Sequence, residues 1–301
     1  AHDDLEIKTF PTNMGTIILD NAEIHLRART TTAYLEDFIA LGASNVRMLK
    51  GSRIDNTGDS LHFSYSEPDI SLVTQGEIVG GVITADSDYV LTAINQSLLR
   101  DVVIASDVQI DGRGAILDGI VNQHTMTFGY GSYPRFRGSW KNEGVMILAD
   151  GEWFEIESDN ANVEWINTGR IEVSDALVRI NHGSNHVGTF DLADCVMEFE
   201  QAVTLGGEGE IIFGGDQNAN KVVLPYDDVL TIGAGLIVRT GTQGVQFGEI
   251  GTYDSGGLIN EGTIRSQTIG KSITIDMASL ENIGMLSATN CGKLDVRTPA
   301  W

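Results

Sequence analysis

Apolar positions in this chain come in short bursts, alternating with polar ones or running together. Examples are Leu177-Val178-Arg179-Ile180, Val222-Val223-Leu224, Ile273-Thr274-Ile275 and Leu294-Asp295-Val296. A period of two over so few residues predicts short β-strands. Many bursts follow a Gly-x-apolar step, which starts at Gly144, Gly169, Gly188, Gly209, Gly235, Gly262 and Gly284. The separations are 25, 19, 21, 26, 27 and 22 residues. Asn142, Asn167, Asn260 and Asn282 each stand two residues before such a glycine. Looser relatives occur at Gly15-Thr16-Ile17, Asn56-Thr57-Gly58, Gly76-Glu77-Ile78 and Gly114-Ala115-Ile116. Asn and Gly tolerate positive φ, so each step reads as a turn feeding a strand. Two or three strands per 19–27 residues is the content of one coil. The expectation is an all-β, right-handed parallel β-helix, its coils stacked about 4.8 Å apart. The competing architecture is a β-sandwich with two-residue hairpins, for which Asp111-Gly112, Asp118-Gly119 and Asp150-Gly151 are the available turns.

Departures from the period divide the chain. Residues 1–14 carry an alternating strand, Leu5-Glu6-Ile7-Lys8-Thr9-Phe10, set off by Pro11. It either packs back on its own domain or is donated to a neighbouring subunit. Residues 15–121 form an N-terminal β-helical part. Within it, residues 31–42 read either as a short helix, N-capped by Thr31 or Thr32, running through Ala33, Tyr34, Leu35, Phe38, Ile39 and Leu41 and ended by Gly42, or as a buried strand and turn, for which the three consecutive threonines are suited. Residues 122–141 lack the glycine ladder and gather Phe128, Tyr130, Tyr133, Phe136 and Trp140 with Arg135 and Arg137. Such a mixture suits a loop packed on the flank, a subunit contact or sugar stacking. Residues 142–301 are the regular coils. No polar cap closes the last of them, which invites head-to-tail assembly, although a longer chain would leave the same open end.

The stretch 229–296 contains Leu230-Thr231-Ile232-Gly233-Ala234-Gly235, Leu258-Ile259-Asn260-Glu261-Gly262-Thr263-Ile264 and Ser272-Ile273-Thr274-Ile275. It ends in Asn282-Ile283-Gly284 and Thr289-Asn290-Cys291-Gly292-Lys293-Leu294-Asp295-Val296. This resembles the β-helical repeats of very large bacterial secreted and surface proteins of adhesin-like or autotransporter-passenger-like type. Gly76-Glu77-Ile78-Val79-Gly80-Gly81-Val82-Ile83 and Leu117-Asp118-Gly119-Ile120 are similar to other segments of that group. The resemblance covers about 75–120 and 200–296, and it implies an architecture rather than an activity. Cys291 stands where the group has a second glycine.

Composition narrows the partners. The chain has 301 residues, 42% of them hydrophobic, with 19 Lys+Arg against 42 Asp+Glu and a formal charge of -23. Nucleic acid and anionic membrane are repelled, and no apolar run reaches the roughly 20 residues that span a bilayer. Ala1 in first place fits a processed, extracellular chain. The expected role is a structural subunit of a surface or matrix filament, self-associating through Leu5, Ile7, Phe10, Tyr130, Tyr133, Phe136 and Trp140. An adhesin or glycan-binding module and a polysaccharide lyase or hydrolase are the alternatives.

Little in the sequence points to catalysis. Glycoside hydrolysis needs two carboxylates at close range. Asp227-Asp228 and the set Asp107, Asp111 and Asp118 are the candidates, but in so acidic a chain they read as solvated surface. His182 and His186 flank a polar corner and do not make a metal site by themselves. No catalytic residue and no cofactor is assigned, and calcium is expected only as diffuse screening. Cys195 and Cys291 are 96 residues apart, or about four coils. At about 4.8 Å per coil they would stand roughly 19 Å from each other, beyond disulfide reach.

Overall fold

A computed structural model describes residues 4–8, 17–18, 23–40, 45–63, 69–72, 75–87, 89–149, 153–157, 165–184, 187–215, 220–224, 227–242, 247–251 and 256–299. The fold is all-β, a parallel β-solenoid, and every strand pairing among the described residues is parallel. Hairpins are therefore absent among them. Asp111 and Asp118 end strands at corners of the coil, and Asp150-Gly151 lies outside the described residues. No described helix is long and apolar enough to cross a membrane. The chain separates into two compact units, residues 1–136 and 137–301.

In the first unit each coil visits up to three faces in turn. The first face stacks Asp4–Ile7, Glu23–Leu26, Asn45–Met48 and Asp69–Leu72, with Val90–Thr92, Val108–Asp111 and Thr125–Phe128 stacked in later coils. The second stacks Arg29–Thr31, Arg53–Asp55, Glu77–Val79, Leu98–Arg100 and Ile116–Asp118. On the third lie Ser60–Phe63, Val82–Ala85, Val103–Ile104 and Val121–Asn122. Successive side chains of a strand point to opposite sides, so one in two is inward. The inward column Ile54, Ile78, Leu99 and Leu117 is fully buried. Each such side chain contributes about 1.5–3 kcal/mol by leaving water.

Asp4–Ile7 pairs with Glu23–Leu26 of its own chain, the in-chain alternative of the two the sequence left open. The helix runs Thr32–Phe38. Thr31 Oγ1 accepts the Tyr34 backbone N–H at 3.2 Å, which makes Thr31 the N-cap. It ends before the Gly42 terminator because Ile39–Ala40 is drawn into a parallel pair with Ile17–Ile18. The segment 122–141 supplies Thr125–Phe128, Arg135–Arg137 and Lys141–Asn142 as strands, and Phe128, Phe136 and Trp140 are buried.

The second unit repeats the three-faced coil. Its first face stacks Val145–Ala149, Arg170–Ser174, Gly188–Ala193, Gly209–Gly214, Leu236–Thr240, Thr263–Ser266 and Met285–Ala288. Its second stacks Trp153–Ile156, Leu177–Ile180, Val196–Phe199, Asn220–Val223, Gly248–Ile250, Ser272–Ile275 and Lys293–Val296. The third carries Lys141–Asn142 with Ile166–Asn167, then Val203–Leu205, Val229–Ile232, Gly257–Asn260 and Ser279–Asn282. Phe154, Val178, Met197, Val222, Ile250 and Ile275 form one inward column. A second runs Leu148, Val173, Leu192, Phe213 and then Thr240, so hydroxyl chemistry replaces hydrocarbon above Phe213. Thr240 and Ser266 are buried but satisfied: Thr240 Oγ1 accepts the Gln267 N–H at 3.0 Å, and Ser266 Oγ donates to the Lys271 carbonyl at 3.0 Å. Trp140 and Trp165 stack with ring centres 5.5 Å apart, and Phe190 meets Trp165 edge-on at 6.0 Å.

The glycine ladder is a column in space. Gly169 follows Gly144, Gly209 pairs with Gly188, and Gly284 lies over Gly262. A Cβ on any of Gly169, Gly209 or Gly284 would overlap the carbonyl oxygen of the glycine beneath. Gly235 is the exception to the sequence reading. The register sets Leu236 opposite Gly209, one residue later, so Gly235 stands outside the column. Asparagines fasten the adjoining corner. Asn142 Nδ2 donates to Asn167 Oδ1 at 2.8 Å and Asn260 Nδ2 to Asn282 Oδ1 at 2.7 Å, each reaching the next coil. In the first unit Asn56 Nδ2 reaches the Gly80 and Val82 carbonyls (3.2 and 3.0 Å), and its Oδ1 accepts the Thr32 hydroxyl at 2.7 Å.

Two glycine substitutions separate steric overlap from φ strain. Gly169→Ala forces the coils apart and should cost about 3 kcal/mol or more. Gly270 has φ +74 and open space around its Cα. Gly270→Ala should therefore cost only about 1–2 kcal/mol. Thermal melts by circular dichroism compare them; equal losses would contradict the column.

Candidate functional site

Outward residues of neighbouring coils face each other about 4.8 Å apart, where like charges repel and opposite charges pair. Many of this chain's cations meet acids across coils, although Arg29 faces Arg53 and Arg239 faces Arg265. Arg100 Nη1 lies 3.3 Å from Glu77 and its Nε 3.2 Å from Asp118. Arg27 pairs with Glu6 at 2.6 Å, Arg179 with Glu198 at 3.2 Å, Lys221 with Glu249 at 3.1 Å and Arg239 with Glu210 at 2.7 Å. Arg47 with Glu23, Arg137 with Glu157 and Arg170 with Asp191 add further cross-coil pairs. Each is partly exposed, so singly it adds little to stability.

Of the carboxylates singled out for catalysis, Asp107, Asp111 and Asp118 are engaged in this framework. Asp107 accepts the Thr125 backbone N–H at 2.9 Å, and that bond holds its carboxyl below the usual range. Asp111 takes both prongs of Arg113 (3.0 and 2.9 Å), and Asp118 binds Arg100. Asp227 and Asp228 lie in a corner, where the Asp228 carbonyl accepts the Gly257 N–H at 2.8 Å. His182 meets the Gln201 amide at 2.9 Å, while His186 lies outside the described residues. No group of three or more metal-ligating side chains occurs among the described residues.

The most acid-like arrangement is one the sequence reading missed. Glu172 and Asp191 are register partners on the outward first face of the second unit. Burial pushes the Asp191 carboxyl above its ordinary value, against the pull of Arg170. Finding this pair required the register, because 19 residues separate the two. The same Arg170 bridges them as part of the ion ladder, which is a structural use. On the second face, a shallow depression is lined by Asp175, Ala176, Leu177, Asp194 and Val196. Arg179 lies over the Trp153 ring of the same face, 5.2 Å from its centre.

The residues predicted to make subunit contacts scatter. Ile7 is buried; Leu5 is in a described strand, though its side chain is not described, and Phe10 lies outside the described residues. Phe136 packs edge-on against Phe128 at 6.0 Å, and Trp140 sits in the core beside Trp165. Both rings therefore serve packing rather than a surface. Tyr133 is half-buried and Tyr130 is 86% exposed. A different surface appears at the outermost coil. Ser279–Asn282, Met285–Ala288 and Lys293–Val296 are end strands of their sheets. Leu286, Leu294 and Val296 are inward residues left partly uncovered, whereas their partners Ile264, Ile273 and Ile275 are 0% exposed. Ile283 and Met285 beside them are 65% and 54% exposed.

Both cysteines are free thiols. Four strand steps separate their corners on the second face, through Asn220–Val223, Gly248–Ile250 and Ser272–Ile275, which is the spacing the sequence implied. Cys195 is buried, donates to the Val173 and Ala193 carbonyls (3.1 and 3.0 Å), and burial pushes its thiol up to about 11. Cys291 is exposed.

Comparison of the chain with protein-family models, with curated proteins and with solved structures found no match.

The thiols provide a direct check on this geometry. With its pKa raised to about 11, Cys195 holds only about one part in a thousand as thiolate at pH 8. A disulfide reagent should titrate one thiol in the native protein at pH 8 and two in denaturant. Two fast native thiols would contradict the sealed corner.

Proposed function

We propose that this chain is a structural β-solenoid, a building unit of an extracellular surface or matrix filament that lengthens by stacking coil on coil. The observation that supports it is the solenoid itself: its described strands pair only in parallel, coil upon coil, a mode of backbone bonding that one copy can extend to the next. The engagement of Asp107, Asp111 and Asp118 in structural bonds favours this reading over polysaccharide cleavage.

Electron microscopy and sedimentation of the purified chain test the proposal. Uniform fibres are expected. Val296→Lys, which sets a charge on the uncovered face, should abolish them while leaving the circular dichroism spectrum of the solenoid unchanged. A monodisperse monomer at high concentration, or fibres indifferent to Val296→Lys, would overturn it.

A further inference from the structure

Loop 129–134 is anchored to the preceding coil and yet holds a large aromatic ring in water. The Gly129 N–H donates to the Ile110 carbonyl at 3.0 Å, and the Ser132 N–H closes back on the Gly129 carbonyl at 3.1 Å. Ser132 is fully buried, and its hydroxyl accepts the Gly112 N–H at 3.1 Å. Pro134 is buried as well. Tyr133 lies across the turn of the preceding coil, close enough that a Cβ on Gly114 would stand 3.1 Å from its Cε2. Between these anchors Gly131 takes φ +71, and Tyr130 projects with 86% of its surface exposed. No core contact explains the ring's position. The loop backbone is set by these bonds before any ligand arrives, which lowers the ordering cost of binding.

The surroundings select the kind of ligand. Protein hot spots sit at the centre of a dry, apolar patch. Tyr130 stands instead beside a polar outward face. Gln109 and Thr127 are register partners on it, and Thr92 and Asp111 are another pair. Arg113 and Asp111 form a flat bidentate pair at 3.0 and 2.9 Å, next in sequence to Gly114, over which Tyr133 of the loop lies. One exposed ring with planar donors and acceptors at its side matches a sugar, which has an apolar face and a rim of hydroxyls. The net charge of -23 disfavours an acidic polysaccharide. We propose that loop 129–134 binds a neutral saccharide, Tyr130 stacking on a sugar ring while the Arg113–Asp111 pair and Gln109 hydrogen-bond its hydroxyls. The site is independent of coil-end assembly.

The test uses the full chain on an array of neutral oligosaccharides, followed by calorimetry with cellohexaose, mannohexaose and chitohexaose. At least one neutral oligosaccharide should bind. Tyr130→Ala should weaken it about tenfold, while Tyr130→Phe, which keeps the ring, should stay within about threefold. Both variants should melt as the parent does. Three results would overturn the proposal: no binding below about 10 mM, binding that survives Tyr130→Ala, or self-association that needs Tyr130 in the absence of any saccharide affinity.

Discussion

Parallel pairing between coils is the constraint on which every other feature depends. It fixes a repeat of about 4.8 Å, and at that spacing each residue meets the residue in the same position one coil away. A column therefore has to be compatible with itself. Aliphatic residues stack on aliphatic residues at Ile54, Ile78, Leu99 and Leu117. Glycine recurs where a carbonyl oxygen occupies the space of a Cβ. Asparagine follows asparagine where the side-chain amide can bridge two coils, as at Asn142 and Asn167. Charge is matched by pairing: Arg100 faces Asp118 and reaches Glu77 diagonally, and where acids repeat, as at Glu172 and Asp191, Arg170 bridges them.

Local compensation adjusts the columns where residue sizes change. Gly248 lies under the Phe213 ring, in space that any side chain at that position would have to share. Asn220, buried in the same column, ties two coils by accepting the Cys195 N–H at 3.0 Å and donating to the Gly214 carbonyl at 2.6 Å. Variation in coil length is absorbed at the corners, so steps of 19 and 27 residues coexist in one stack without loss of register.

Much of the fold was legible because the period is written in glycine and asparagine, residues the turns physically require. The same glycine signal misled at Gly233-Ala234-Gly235, where two glycines compete and the column passes instead through Leu236. The aromatic segment misled for another reason. Composition does not reveal which side of a strand a ring occupies, and Phe128, Phe136 and Trp140 turned inward while Tyr130 did not. The ion ladder and the Glu172–Asp191 pair were invisible, since their members lie a full coil apart and meet only through the register. Cys195 and Cys291 could be separated in advance because that inference needed only a count of coils.

The switch from Phe213 to Thr240 changes what one inward column of the second unit depends on. From Leu148 to Phe213 that column coheres by hydrocarbon packing, which tolerates small displacements. Thr240 and Ser266 instead hold their layers through directional bonds to Gln267 and Lys271. A shift of a few tenths of an ångström that the first stretch absorbs would break contacts in the second.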